Sequence, residues 1–198
     1  MKVVKAKKIG KKKPLAKGAA KASGFDFSDA SAVLKAALET EINGRELYLQ
    51  YGRTVKSRMA KEVFTNLASE ELTHIEDIKA FLKSTEMGTW VDVSGMTKED
   101  SVGNAKTLFG RLISEMGGRV GANDDDNKAR DVSMQFEKNG YEYYEKAAKA
   151  AKNEKLRQFL QWLMEQEQSH YMFIRNAFDY MNHPDSWYAS EEGWLLEG

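Results

Sequence analysis

Apolar residues recur at intervals of three and four along four long stretches of the chain, the spacing that gathers them on one face of a helix. In the first stretch, from about Asp29 to Val55, the pattern is carried by Val33, Ala37, Leu38, Ile42, Tyr48 and Leu49. Ser28 or Asp29 can cap its start. The second runs from about Arg58 to Glu86, with Val63, Phe64, Leu67, Ile75, Ile78 and Leu82 on recurring faces. The third covers about Lys128 to Lys152. The fourth covers about Asn153 to Met181, with Asn153 as a natural N-cap. The only prolines are Pro14 and Pro184, so nothing in the middle of the chain interrupts a long helix.

The breaks near Val55–Ser57 and Ala151–Asn153 are short, and short breaks make the flanking helices antiparallel neighbours. The second and third stretches are joined differently. Their long connection holds Gly88, Gly95, Gly103, Gly117, Gly118, Gly121 and the acidic run Asp124–Asp126, and predicts a shorter helix at about Val102–Met116. A connection of this length can cross from one end of a bundle to the other. The expected fold is all-α: two antiparallel helical hairpins forming a four-helix bundle over residues 28–182, linked by a crossover with its own short helix. A Lys-rich tail (1–27) precedes it. A C-terminal extension (183–198), rich in Trp187, Tyr188, Trp194, Leu195 and Leu196, is expected to pack on the bundle or on a partner.

A pattern occurs twice on this scaffold. EINGRELY begins at Glu41 and EKNGYEYY at Glu137, each a Glu, then Asn-Gly, then Tyr seven positions after the Glu. Glu-x-x-His also occurs twice, as Glu71/His74 and Glu167/His170. Glu41 precedes Glu71 by 30 residues, as Glu137 precedes Glu167, and 96 residues separate each member of one set from its counterpart. The chain is therefore an internal duplication of one Glu–hairpin–ExxH unit. The turns lie midway between the paired Glu residues, and fifteen helical residues climb about 22 Å, so each lone Glu returns to the depth of its ExxH partner. Residues i and i+3 share a helix face, so Glu71 and His74 point together, as do Glu167 and His170. Four carboxylates gathered inside a bundle repel one another unless cations sit between them.

The set fits a two-metal carboxylate site, with one Glu from each of two helices and ExxH from each of the other two. Glu41 and Glu137 read as terminal ligands, Glu71 and Glu167 as bridges, and His74 and His170 as one nitrogen per metal. Hard oxygens with a single imidazole each suit iron, with manganese as the alternative. Tyr48 and Tyr144, two turns beyond the lone Glu residues, are expected to hydrogen-bond across the core to a ligating carboxylate. Gly44 and Gly140 leave room beside the metals or let helices approach. Leu67 and Leu163 wall the site. Glu46, Glu70, Glu142 and Glu165 read as surface or interhelical partners, and Met134, Met164 and Met172 as core filler.

Composition narrows the chemistry further. The chain has 198 residues and no cysteine, which excludes disulfides, thiolate catalysis and Cys-held metals. Net charge is zero, yet residues 1–21 hold nine Lys and no acid. No apolar segment follows them, so a secretory signal is not expected and the cytoplasm is. The Lys-rich arm offers a surface for nucleic acid or another anionic partner. No run is long and apolar enough to cross a membrane.

The stretches ETEINGRELYLQYG, LASEELTHIEDI, MQFEKNGYEYYEKAA and LMEQEQSHYMFI resemble the rubrerythrin branch of the ferritin-like superfamily. The resemblance spans roughly 28–182, and the tail NHPDSWYASEEGWLLEG is similar to that of relatives without a rubredoxin domain. It implies a non-haem diiron centre that reacts with hydrogen peroxide or dioxygen, with Glu41, Glu71, His74, Glu137, Glu167 and His170 matching family ligands and Tyr48 a family tyrosine. It also implies a homodimer, to which the long crossover could contribute an exchanged hairpin. Two departures stand out. A four-cysteine rubredoxin site is absent, so turnover would draw on an external donor such as a rubredoxin or a reductase. Gly140 stands where rubrerythrins carry a further Glu, which points to a more symmetric site and to simple oxidation of Fe(II), as in bacterioferritin ferroxidase centres. The rival readings are a ferroxidase or iron-storage protein, an oxidase of an organic substrate, and a metal-free structural or DNA-associated bundle.

Overall fold

The computed structural model describes residues 25–93, 99–116 and 121–184. The Lys-rich run at 1–21 and the aromatic residues of the C-terminal extension lie outside them. Five helices follow in order: α1 (Ala30–Thr54), α2 (Arg58–Glu86), α3 (Glu99–Met116), α4 (Asp124–Ala150) and α5 (Glu154–Asn182). α1 packs along α2 and α4 along α5. The two hairpins meet through α1 on α4 and α2 on α5, and α3 lies against α5. This is the ferritin-like four-helix bundle with a helix in its crossover.

The helix limits follow from local chemistry. Asp29 caps α1, accepting from Ser31 N–H at 2.9 Å and Ala32 N–H at 3.1 Å. Asn153 caps α5 through Leu156 N–H at 3.1 Å. α4 begins at Asp124, ahead of the expected Lys128. The acidic run assigned to the connection is its first turn, where Asn123 and Asp126 form a capping box and three carboxylates meet the positive end of the helix dipole. α3 likewise begins at Glu99 rather than near Val102. α2 ends in a Schellman motif: Thr89 N–H donates to Ser84 O at 2.9 Å, Gly88 N–H donates to Thr85 O at 3.1 Å, and Gly88 holds φ +70°, where a side chain is disfavoured.

Two apolar positions depart from the periodic reading. Ile42 is 39 % exposed, because Glu41 beside it faces inward, whereas Leu34, outside the periodic set, is fully buried. The apolar interior forms two clusters. One gathers Tyr48, Met59, Val63, Phe64, Leu67, Phe173, Ile174 and Phe178 with Phe109 and Leu112 of α3. The other gathers Val33, Leu34, Ala37, Ile78, Phe81, Tyr143, Tyr144, Phe159 and Leu163, with Phe25 and Phe27 packed against it.

Buried Asp126 ties the hairpins together. Its carboxylate accepts from Lys56 N–H at 2.7 Å and Ser57 N–H at 3.1 Å in the α1–α2 turn, and from Asn123 N–H at 3.3 Å. Removing a charged acceptor strands buried donors at roughly 1.5–3 kcal/mol per bond. Asp126→Ala is therefore expected to lower stability by about 3 kcal/mol, seen as a fall in Tm of about 6–12 °C in a chain of this size. An unchanged Tm would refute that role.

Candidate metal centre

On each of the four long helices the polar site residues fall between the two apolar clusters. Along α1, Glu41 and Gly44 lie between Ala37 of one cluster and Tyr48 of the other. Along α2, Glu71 and His74 lie between Ala68 and Ile78. Along α4, Glu137 and Gly140 lie between Ala129 and Tyr143. Along α5, Glu167 and His170 lie between Leu163 and Phe173. The sequence thus sets a polar layer between the two apolar clusters. Glu41, Glu71, His74, Glu137, Glu167 and His170 are all at most 3 % exposed.

The imidazoles stack with ring centroids 5.3 Å apart and planes 21° from parallel. Glu71 lies between them: its Oε1 is 3.3 Å from His170 Nδ1 and its Oε2 is 3.6 Å from His74 Nδ1. His74 Nδ1 also faces Glu41 Oε2 at 3.5 Å, and His170 Nδ1 faces Glu137 Oε2 at 3.6 Å. Each imidazole therefore addresses the lone Glu of its own hairpin, and both address Glu71. Ligand-capable atoms of Glu71, His74 and His170 lie within 4.8 Å of one another, a buried cluster able to hold a metal ion. His183, the remaining histidine, sits past the end of α5 and outside this layer.

The two tyrosines cross between hairpins. Tyr48 of α1 donates to Glu137 of α4, and Tyr144 of α4 donates to Glu41 of α1. Both are fully buried, and each phenol occupies one oxygen of a lone Glu. The glycines are filled differently. A Cβ on Gly140 would collide with the Glu167 carboxylate, whose Cδ would lie 2.8 Å away. A Cβ on Gly44 would meet the edge of Phe136 at 2.8 Å and Glu71 Cδ at 3.5 Å.

Crowding distributes the protons. Burial pushes the Glu41 carboxyl up to about 8, and the charge of Glu71 adds to the rise. Burial likewise lifts Glu167 well above the usual carboxylate range, reinforced by Glu137, Glu41 and Glu71. Glu71 goes the other way: burial raises it, but its contacts with Glu41, His170 and His74 prevail and hold it below that range. Burial disfavours the charged His74 ring, yet Glu41 and Glu71 lift it to about 9. His170 rises against the same penalty through Glu137, Glu70 and Glu71. Burial and nearby carboxylates keep the Tyr144 phenol protonated, so it remains a donor.

Six buried atoms of this layer have no hydrogen-bond partner: both oxygens of Glu71, Oε2 of Glu137, Oε2 of Glu167, and Nδ1 of His74 and of His170. Buried polar atoms left unpaired are costly and uncommon, and so many orphans facing one layer call for a bound group. Carboxylate oxygens with one imidazole nitrogen per half are the donor set of iron or manganese, so the residues fit such ions.

Periodicity and spacing missed three contacts. Trp162 sets its ring edge-on to His74 with centroids 5.4 Å apart, Phe136 fills the Gly44 notch, and Tyr143 anchors α4 to α1 by donating to Val33 O at 2.7 Å. None belongs to a duplicated pair of like residues, which is why no repeat marked them: their counterparts are Asn66, Thr40 and Leu47. Glu70, read as a surface or interhelical partner, is the second of these. Its Oε2 lies 2.9 Å from His170 Nε2.

Among the described residues no helix is long and apolar enough to cross a membrane. No curated protein and no solved structure matches the chain significantly. The rubrerythrin family model matches residues 32–178, a span that holds both Glu–hairpin–ExxH units and the crossover between them. The chain belongs to the rubrerythrin family.

Proposed function

We propose that the protein is a non-haem diiron oxidoreductase that reduces hydrogen peroxide, or dioxygen, with electrons from an external donor such as a rubredoxin or a reductase. The observation that carries this reading is the set of six orphaned atoms on five residues, all in one buried layer of a rubrerythrin-family bundle. Glu41 and His74 would hold one metal, Glu137 and His170 the other, and Glu71 and Glu167 would lie between them. Iron is the favoured ion and manganese the alternative. When bound, two ferrous ions supply the two electrons that, with two protons, convert hydrogen peroxide to two waters.

The chain's own residues prepare that chemistry. Tyr48 and Tyr144 each hold one oxygen of a lone Glu, which leaves its other oxygen directed at the imidazole layer. Leu67 and Leu163, both fully buried, keep water from the layer on either side. Glu71, which faces both imidazoles, can shift its two oxygens between them as charge changes.

A ferroxidase role is the second reading, favoured by one observation. The Glu167 carboxylate occupies the space beside Gly140 where a further acidic side chain would stand, so the two halves keep matching ligand sets. Anaerobic loading with Fe(II), followed by rapid mixing with peroxide and separately with oxygen, separates the two. Two irons oxidised faster by peroxide support the peroxidase. Two irons that prefer oxygen, with continued iron uptake, support the ferroxidase. Failure to bind iron or manganese would overturn both. In either role we place the protein in the cytoplasm as a homodimer, which sedimentation would test.

Metal loading is expected to release protons. In the metal-free protein Glu41, at about 8, and His74, at about 9, are largely protonated at neutral pH, and Glu167 and His170 are shifted upward as well. Ligation needs the deprotonated forms. Affinity for Mn(II) should therefore rise with pH, by roughly tenfold per unit for each proton released, most steeply below about pH 8 and levelling off above about pH 9 as Glu41 and then His74 lose their protons unaided. Titrations at several pH values, with an indicator dye to count protons, check this. A flat profile would contradict it.

A further inference from the structure

We propose that Glu70 makes the two halves of the centre unequal, bracing His170 so that the metal position beside Glu137 fills before the one beside Glu41. The inference rests on the two-metal reading above and goes beyond it, because the six ligands alone are matched pairwise.

The asymmetry lies one residue before each ExxH motif. Glu70 of α2 reaches across to α5 and places its Oε2 2.9 Å from His170 Nε2. A carboxylate only accepts, so in the neutral ring that ligation requires the hydrogen of His170 sits on Nε2 and Nδ1 keeps its lone pair. That Nδ1 is the nitrogen turned toward Glu71 and Glu137, at 3.3 and 3.6 Å. The residue 96 positions on from Glu70 is Gln166. Gln166 is buried at 3 % exposure, and its Nε2 has no hydrogen-bond partner. The duplication thus supplies a carboxylate behind one imidazole and a neutral amide at the equivalent sequence position of the other half. His74 is flanked instead by the edge of Trp162. Asp77, one turn along α2, lends His74 charge, but no hydrogen bond joins the two among the described residues.

A carboxylate hydrogen-bonded to the far nitrogen of a ligating histidine fixes its tautomer and orientation and makes it a better donor to metal. Losing such a partner typically lowers metal affinity 10–100-fold. The two positions should therefore differ by roughly that factor. Glu70 acts through His170 and is a positioning residue. Its side chain is 21 % exposed, at the rim of the layer, so its amide variant should fold.

The test is anaerobic titration of the whole protein with Co(II), followed by calorimetry and visible absorption. The wild type should show two steps of unequal affinity. His170→Ala should remove the tighter step and His74→Ala the weaker. Glu70→Gln should weaken the tight step and close most of the gap. Gln166→Glu should strengthen the weak step, and the double exchange should reverse the filling order. A wild type with two equal steps, or a gap unchanged in Glu70→Gln, overturns the inference while leaving the two-metal reading intact. Absence of Co(II) binding in the wild type would overturn that reading itself. Should circular dichroism show Glu70→Gln unfolded, Gln166→Glu decides: a strengthened weak step upholds the inference and an unchanged one overturns it.

Discussion

Glu71→Gln is expected to empty both metal positions at once, whereas Glu41→Gln should empty only one. Glu71 is the only carboxylate in the described layer that faces both imidazoles, with Oε1 toward His170 and Oε2 toward His74. Neither oxygen has a hydrogen-bond partner, so both are open to a metal. An amide in its place offers one neutral acceptor and one donor, and the donor would point at a cation. Loss of a supporting hydrogen bond alone costs up to ~100-fold in metal affinity. Loss of the shared charged ligand should exceed ~100-fold at each position. After anaerobic loading and gel filtration, iron should fall from about two per wild-type chain to nearly none, and peroxide-driven oxidation should fall with it. Glu41→Gln should retain about one. Full iron content in Glu71→Gln would remove Glu71 from the centre.

Glu167→Gln should also lose metal but leave the metal-free fold standing or firmer. Burial and neighbouring charge oppose ionisation of Glu167, which holds its proton in the metal-free protein, so the amide replaces a neutral acid of the same shape. Glu71 is instead held ionised, against burial, by its contacts with Glu41, His170 and His74, and removing one partner of a buried charged group costs about 3–5 kcal/mol. A variant that loses metal while its metal-free Tm holds or rises separates a ligand from a structural residue. It also locates the conflict in this protein: the layer that cuts the apolar core in two is kept for chemistry, at the expense of stability.

That layer could be read before any coordinates because duplication writes it twice. The equal 30-residue spacings and the 96-residue shift place Glu41, Glu71, Glu137 and Glu167 at one depth for any pair of tight hairpins. The short turns follow from periodicity that stops and restarts within three residues. What periodicity could not show is what breaks the repeat. Trp162 against His74, Phe136 against Gly44 and Glu70 against His170 are contacts between helices, set by packing at a rotation that one-dimensional spacing does not encode. The start of α4 was missed for another reason. An acidic run reads as a loop by composition, yet at the positive end of a helix, behind an Asn cap, the same carboxylates are favoured. Ile42 illustrates the limit within a helix. Its neighbour Glu41 has the stronger claim on the interior, so the apolar residue turns outward.

Gly140→Ala should damage the centre far more than Gly44→Ala, although the two glycines are equivalent in the repeat. In a helix interior the change to alanine is intrinsically favourable by about 1 kcal/mol. At Gly44 the new methyl meets the edge of Phe136, a partly buried ring at the rim that can swing, while Glu71 stays at an ordinary 3.5 Å. At Gly140 the methyl meets Glu167 along its length: the terminal oxygen in hard contact, Cδ at 2.8 Å and Cγ at 3.3 Å. Glu167 is fully buried, so it has no solvent to retreat into and must be driven toward Glu137 or the imidazoles. Forcing a methyl into such a packed position costs about 1–3 kcal/mol, enough to cancel the helix gain and displace the carboxylate. Gly140→Ala is therefore expected to hold fewer metal ions per chain than the wild type, with affinity reduced by at least ~10-fold and a metal-free Tm within a few degrees of the parent. Gly44→Ala should bind normally. Equal metal content in the two variants would mean that Glu167 relaxes without loss, and would overturn the expectation.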